Sequence, residues 1–256
     1  MDDSIFELSA SWWCLAFVCA LVVGMSKCGL AGLGTVAVPL MAMVLPAKAS
    51  TGVMLPVLII GDAMGVAHFN RHANWKLLMK LMPPALAGIV IGFWLMKQPW
   101  LDDRIIRKSI GVIVLILCFI TMLRSKYNFS FGESNGTDFT TVSVAIVFGI
   151  IAGVTTMVAN AAGPITMIYL LAMKLPKDEF IGTSAWYFIV LNWIKVPFMI
   201  NLGLINPESL CFDFKLAPAI LVGGILGIIL TGYLSEKSYK IWVQVLTILA
   251  ALKLLF

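Results

Sequence analysis

The feature that most constrains this chain is a succession of long apolar runs that covers almost all of its 256 residues. A membrane helix needs roughly 20 mostly apolar residues to cross about 30 Å of hydrocarbon. Only 12% of the residues are charged, about half the share that is usual in soluble domains. A chain with so few charges cannot cover a globular surface, so the bilayer is its solvent. The runs lie at about residues 12–45, 50–68, 77–96, 105–123, 140–173, 181–203, 215–234 and 239–256.

Backbone N–H and C=O groups find no partner in lipid, so these runs must form helices or a closed barrel. Barrel strands show short segments of alternating hydrophobicity, whereas these runs are continuous. We therefore predict an all-α polytopic membrane protein. The acidic start, Met1 to Glu7, predicts no cleaved secretory signal, which would begin with basic residues. Most of the five cysteines lie within apolar runs and are interpreted as small hydrophobic residues rather than disulfide partners.

The order of glycine and proline residues indicates an internal duplication. Each half would hold about four hydrophobic segments, in residues 1–123 and 140–256, joined by a polar linker at 124–139. Glycine and proline are frequent in membrane helices, so one match alone means little, but an ordered set is hard to obtain by chance. The matches are Gly24 and Gly34 with Gly153 and Gly163 at an offset of 129, Pro46 and Gly52 with Pro176 and Gly182 at 130, and Pro83, Gly88 and Gly92 with Pro218, Gly223 and Gly227 at 135.

The first apolar run of each half is too long for one straight membrane helix. A helix over residues 12–45 would be about 50 Å long, which overshoots the bilayer. Glycine and proline residues interrupt this run between residues 24 and 39, and a similar interruption at 160–164 divides the run at 140–173. We therefore predict a broken or re-entrant segment in each half, and paired breaks of this kind point to a transport site. Close helix packing through small residues is the alternative explanation for the glycines.

Membrane topology depends on these breaks. If each broken segment crosses the membrane once, the two halves run parallel; if each returns to its own side as a hairpin, the halves are inverted. With Lys27 and Lys195 left out, nine of the Lys and Arg residues lie on one side and seven on the other in either case. The positive-inside rule therefore cannot choose between them, and segment lengths that suit hairpins favour inverted halves.

Three charged residues, Lys27, Asp62 and Lys195, lie well inside apolar runs, where a charge costs roughly 3 kcal/mol and is a functional candidate by default. Lys27 lies at the first break, where the N-termini of half-helices would help it to hold an anion; alternatively, its long stem lets the ammonium reach the interface. Asn192 precedes Lys195 by one turn on the same helix face. An offset of 130 pairs Asp62 with Asn192 and Gly65 with Lys195, which indicates one asymmetric site.

Asp62 has two open interpretations: it carries a coupling proton, or it is the fixed counter-ion of a buried lysine. His68 and His72 have a spacing compatible with a metal on a helix, but they flank Arg71 at a segment end. An interfacial polar cluster is therefore preferred, and no metal or cofactor is predicted. The sequence contains no P-loop, GxSxG elbow or HExxH motif, so we predict that the chain is not an enzyme. Its net charge of +5 indicates attraction to anionic membrane lipids and no nucleic-acid partner.

Motifs in both halves resemble those of a known family. The first-half run is similar to the first motif of the TauE/SafE family, also called TSUP, and the resemblance covers nearly the whole chain. One departure is Cys28, where the family pattern often has glycine, which weakens the case for direct backbone contact with a substrate there. The matching residues are Gly24-Met25-Ser26-Lys27-Cys28-Gly29-Leu30-Ala31-Gly32 with Val38-Pro39, then Gly163-Pro164, Gly182-Thr183-Ser184-Ala185-Trp186, Asn192 and Lys195.

This resemblance implies a multi-pass transporter of the bacterial cytoplasmic (inner) membrane. It would move a small sulfur-containing anion, sulfite or an organosulfonate such as sulfoacetate, by alternating access. The family includes exporters and uptake permeases, so the resemblance does not imply a direction, and export is a separate prediction. A homodimer and a coupling proton, with Asp62 as its candidate carrier, are further predictions. The competing functions are a passive anion channel, a membrane enzyme and a cation transporter using Asp62. The predicted substrate-binding residues are Lys27, Lys195, Asn192, Asn160, Ser26, Thr183, Gly29 and Gly163.

Overall fold

A computed structural model describes residues 3–30, 32–69, 73–127, 139–173, 175–230 and 236–255 of the chain. Within these ranges the protein is all helical, without a strand, so the predicted fold class is confirmed. Most of the predicted polar linker, residues 128–138, lies outside the described residues. A short 3-10 helix at Asp3–Phe6 precedes helices α1 (Ala10–Lys27), α2 (Gly34–Val44), α3 (Ala47–Phe69), α4 (Trp75–Met96), α5 (Asp103–Tyr127), α6 (Phe139–Ala159), α7 (Ala162–Ala172), α8 (Lys177–Asn201), α9 (Pro207–Leu230) and α10 (Glu236–Leu255).

Four helices are both long enough and apolar enough to cross a membrane, as judged over the described residues. They are α1, α3 over Ala47–His68, α4 and α9. A 22-residue helix such as α4 is about 33 Å long, which matches the hydrocarbon thickness. These spans agree with a multi-pass membrane protein.

Both oversized apolar runs are broken, as predicted from their length. The first divides into α1 and α2, and the second into α6 and α7. Each second piece has only 11 residues, or about 16 Å, which is half of a bilayer crossing. Positive φ angles mark both breaks: 147° at Gly29 and 100° at Gly32 in the first, and 50° at Asn160 in the second. Glycine adopts such angles without a Cβ penalty, and asparagine tolerates them better than most residues, so the sequence itself permits these turns.

Each broken segment folds back on itself as a helical hairpin. In the first, the Gly34 N–H donates to Ser26 Oγ at 2.8 Å, and the Cys19 thiol donates to the Ala37 carbonyl at 3.4 Å. Residue numbers rise along α2 while those of its partners on α1 fall, so the two helices are antiparallel. In the second, the rings of Phe148 and Tyr169 lie 6.0 Å apart, which places the middle of α6 beside the C-terminal part of α7.

Glycines allow the first helix of each hairpin to pack closely against a distant helix. A Cβ on Gly24 of α1 would collide with the Ile220 carbonyl of α9, and a Cβ on Gly153 of α6 would collide with the Ala85 carbonyl of α4. Gly24 and Gly153 are the pair that the offset of 129 matches in sequence. For these two glycines, close packing through small residues is therefore the role observed.

The directions of the helices can be read from their contacts. Leu21 faces Gly223 and Met25 faces Gly227, so α1 and α9 run parallel. Contacts between α4 and α6 show the same parallel course, with Pro84 near Gly149 and Gly92 near Met157. By contrast, α3 and α8 run antiparallel, because Asp62 bonds Asn192 and Gly65 faces Ala185, while Gly52 packs on Leu204 just beyond the end of α8.

Candidate functional site

The breaks of the two hairpins meet around one cavity of about 120 Å³. Residues of α3, α5 and α8 complete its wall. This volume is several times the roughly 10–15 Å³ that one water molecule needs. The cavity therefore has the size for a small ion. Seven of the residues singled out from the sequence line it: Ser26, Lys27, Gly29, Asp62, Asn160, Gly163 and Asn192.

The N-termini of α2 and α7 lie at the cavity. A helix N-terminus carries partial positive charge and free N–H groups that suit an anion. At α2 the first amides are already engaged: Gly34 donates to Ser26, and Thr35 donates to the Gly32 carbonyl. Ser26 therefore serves to close the first break. At α7 the space is open, since a Cβ on Gly163 would have nothing within 4 Å.

Lys27 and Asp62 form an ion pair in the cavity wall. Lys27 Nζ lies 2.7 Å from Asp62 Oδ1, and the side chains are 15% and 1% exposed, respectively. Asn192 Nδ2 donates to the second oxygen, Asp62 Oδ2, at 2.6 Å. The ammonium also lies 4.3 Å from the centroid of the Phe188 ring, a cation–π contact. Of the two interpretations of Asp62, the structure has the arrangement of a counter-ion; its role as a proton carrier stays a prediction.

Glycines on α3 make room for Lys27. A Cβ on Gly61 would lie 3.0 Å from Lys27 Cγ, and one on Gly65 would lie 2.8 Å from the Lys27 carbonyl oxygen. A larger residue at either position would push the end of α1 away from Asp62. These two glycines therefore let the end of α1 approach the carboxylate.

Lys195 lies behind the cavity wall rather than in it. Its side chain is fully buried, and it is absent from the cavity lining. Its ammonium donates to Asn160 Oδ1 at 2.6 Å, to Thr156 Oγ1 at 3.2 Å and to Asn192 Oδ1 at 3.4 Å. An ammonium has three donors, so these three acceptors use all of them. Lys195 thus orients residues that do line the cavity and contributes charge from behind them.

Asn160 connects the second break to the first half of the chain. Its side-chain oxygen accepts from Lys195, and its Nδ2 donates to the Thr51 carbonyl of α3 at 2.8 Å. The residue also takes the positive φ at which α6 ends. One side chain therefore sets both the turn between α6 and α7 and its position against α3.

Thr183 does not line the cavity, in contrast to its predicted place among the substrate donors. Its hydroxyl accepts from the Asn74 N–H at 2.8 Å, just before α4 begins. Asn74 in turn caps α4 through the Leu77 N–H and donates to Glu179 Oε1 at 2.6 Å. Thr183 therefore ties the start of α4 to α8.

Two residues of the site were missed in the sequence. Thr156 lines the cavity and bonds Lys195, and Phe188 lines it beside Lys27. Both left a signal: the offset of 129 maps Lys27 onto Thr156, and Phe188 lies one turn before Asn192 on the same face of α8.

No cluster of three metal-ligating side chains occurs among the residues that the structure describes. His68 is exposed near the end of α3, while Arg71 and His72 lie outside the described residues. The predicted interfacial cluster at this position therefore stays a prediction.

Comparison with known proteins decides the family. The model of the sulfite exporter TauE/SafE family matches residues 16–254, which is nearly the whole chain. The chain belongs to the TauE/SafE family. A probable membrane transporter protein of Bacillus subtilis (strain 168), YjnA, is 29% identical over 97 residues, 38% of this chain and 35% of that protein. The match thus spans about a third of the relative's length, and no solved structure matches the chain. Family membership over nearly the whole chain and the four apolar spans agree with a multi-pass membrane protein.

Proposed function

We propose that this chain is a secondary transporter that moves a small sulfur-containing anion, sulfite or an organosulfonate, out across the cytoplasmic membrane by alternating access. The observation that carries the proposal is the cavity of about 120 Å³ where both broken segments meet with Lys27 in its wall. A cation, an open helix N-terminus and a volume fit for a small ion together suit an oxyanion. Membership of a family described as sulfite exporters supports sulfur in the substrate.

The two halves of this transporter are proposed to be inverted repeats. If each broken segment crossed the membrane once, α3 and α8 would run in the same direction. They run antiparallel, and α2 and α7 each return along the preceding helix, as inverted halves require. Close packing of α1 on α9 and of α6 on α4 recurs at equivalent positions, which also supports the repeat.

In such a repeat the bond between Asp62 and Asn192 would lie on the axis that relates the halves, because the offset of 130 pairs these two residues. The anion site would lie next to this axis, between two hairpins that enter from opposite sides. Rocking of the hairpins against α3 and α8 would expose the cavity to each side in turn. The coupling proton and the homodimer have no support beyond the sequence and stay predictions.

A ligand screen on the purified protein tests the proposed substrate class. Sulfite, sulfate, sulfoacetate, taurine and thiosulfate are compared with acetate by thermal shift, since a ligand at 100 times its Kd stabilises the folded state by about 2.7 kcal/mol. Acetate should give little shift and at least one sulfur anion a large one. Equal shifts from acetate would remove the sulfur assignment.

A matched pair of lysine variants tests the location. Lys27→Gln should abolish the shift, whereas Lys97→Gln should keep it. Lys97 is an exposed lysine outside the cavity lining, and its ammonium lies 4.6 Å from the Phe93 ring centroid, much as Lys27 lies over Phe188. A full shift in Lys27→Gln would place the anion elsewhere.

Uptake into proteoliposomes that saturates with anion concentration supports a transporter, and non-saturating passive flux would indicate a channel.

A further inference from the structure

We infer that the cavity selects monovalent over divalent anions and that Asp62 sets this selectivity. The inference rests on the proposed function and narrows its substrate class. Its starting point is the charge around the cavity: Lys27 and Asp62 are the only charged side chains among the described residues that line it. Lys195 adds one positive charge from behind the wall. When all three side chains are ionised, together they carry a single net positive charge.

Asp62 cannot leave this cluster without a large rearrangement. It is 1% exposed, and its two oxygens are held by Lys27 at 2.7 Å and Asn192 at 2.6 Å. Its carboxyl group therefore stays beside any anion that Lys27 binds. Other groups that face Asp62 are the Cys28 thiol, whose Sγ lies 3.9 Å from the Gly61 carbonyl oxygen, and the more distant Lys195.

One bound negative charge neutralises the cluster, whereas two leave an uncompensated negative charge next to Asp62. Like charges in a site shielded from water repel each other strongly, since the local dielectric constant is far below that of water. The second charge of a dianion also finds no further cation, because the three donors of Lys195 are already engaged. The favoured substrates are therefore small monoanions, such as hydrogensulfite or a sulfonate without a second acidic group, rather than sulfate or sulfoacetate.

The first experiment uses the unmodified protein. The affinity for 2-hydroxyethanesulfonate, a monoanion, is compared with that for sulfoacetate, a dianion of similar size with the same sulfonate group. The monoanion should bind at least about tenfold more tightly, as a loss of roughly 1.4 kcal/mol for the dianion would give. Equal affinity, or tighter binding of sulfoacetate, would overturn the inference while leaving the proposed function intact. Failure of both to bind, together with all other sulfur anions, would instead refute the proposed function.

The second experiment tests whether the preference for a monoanion over a dianion changes when one charge of the cluster is removed. Asp62→Asn raises the net charge of the cluster from +1 to +2, so the ratio of sulfoacetate to 2-hydroxyethanesulfonate affinity should rise about tenfold or more. Asp213→Asn is the matched control: Asp213 is 3% exposed on α9 but does not line the cavity. Its ratio should equal that of the unmodified protein. An unchanged ratio in Asp62→Asn would show that Asp62 does not set the selectivity, and the first experiment stands even where a variant does not fold.

Discussion

Removal of the Lys27 ammonium should strongly destabilise the protein, because it leaves a buried carboxylate without its counter-ion. In Lys27→Met the apolar stem is kept, but Asp62, at 1% exposure, retains only the amide of Asn192. Breaking one partner of a buried ion pair typically costs about 3–5 kcal/mol. We expect a loss in this range, which is a large part of the 5–15 kcal/mol that stabilises a typical domain.

The reverse variant should cost less. In Asp62→Asn the unpaired group is Lys27, which is 15% exposed, lines the cavity and keeps its contact with Phe188. Water in the cavity can solvate this ammonium, so we expect a loss of about 1–3 kcal/mol. The double variant Lys27→Met, Asp62→Asn removes both charges and should recover most of the stability, because a buried ion pair and its neutral replacement often differ little.

A double-mutant cycle measures this coupling. The free energy of unfolding of the purified protein is determined for the original chain, both single variants and the double variant, and anion binding is measured on each. The coupling energy between Lys27 and Asp62 should be about 2 kcal/mol or more. This lies near the upper end of the values found for residues in contact. Binding should be lost wherever Lys27 is absent, including in the stable double variant. Additive losses, or a Lys27→Met variant no less stable than Asp62→Asn, would refute the reasoning.

Two further predictions separate packing roles from binding roles. Gly153→Ala should cost about 1–3 kcal/mol through overpacking against the Ala85 carbonyl, whereas Gly163→Ala should preserve stability and weaken anion binding, since its methyl group enters open space in the cavity wall. Thermal unfolding and ligand titration of both variants check this, and equal stability losses would contradict it. Thr183→Val should destabilise the protein by about 1–3 kcal/mol by leaving the Asn74 N–H unpaired, with anion affinity unchanged. A loss of anion affinity without a loss of stability would show that Thr183 does take part in binding.

The positions of the breaks followed from local properties of the sequence. A run of 34 residues at 12–45 cannot cross about 30 Å of hydrocarbon as one straight helix, and the residues that allow the chain to turn are present within it. Gly29 and Gly32 take positive φ angles there, and Asn160 does so in the second half. Segment length and backbone preference are properties of a single segment, so they can be read from its sequence without knowing how the rest of the chain folds.

The roles of Lys27, Asp62 and Lys195 could be predicted only in part from the sequence. Their number and depth marked a site, since an ionised group inside a membrane needs a partner or a cavity. From the sequence, Lys27 and Lys195 were both predicted to bind the substrate. The structure places Lys27 in the cavity wall and Lys195 behind it. Burial of this kind depends on which helices surround a side chain, and those helices are far apart along the chain. The same holds for Thr183, whose partner Asn74 is 109 residues away.

The sequence by itself determined the membrane environment, the helical class, the two breaks and the presence of buried charges, because hydropathy and backbone preference act within windows of a few turns. Only the tertiary structure decided which charges meet and how the helices are directed. Lys27 pairs with Asp62 across 35 residues, and Asp62 bonds Asn192 across 130, through the antiparallel contact of α3 and α8. A charge count of nine against seven carries no information on the relative direction of α3 and α8, whereas contacts between residues far apart in the chain, such as Gly65 with Ala185, show it directly.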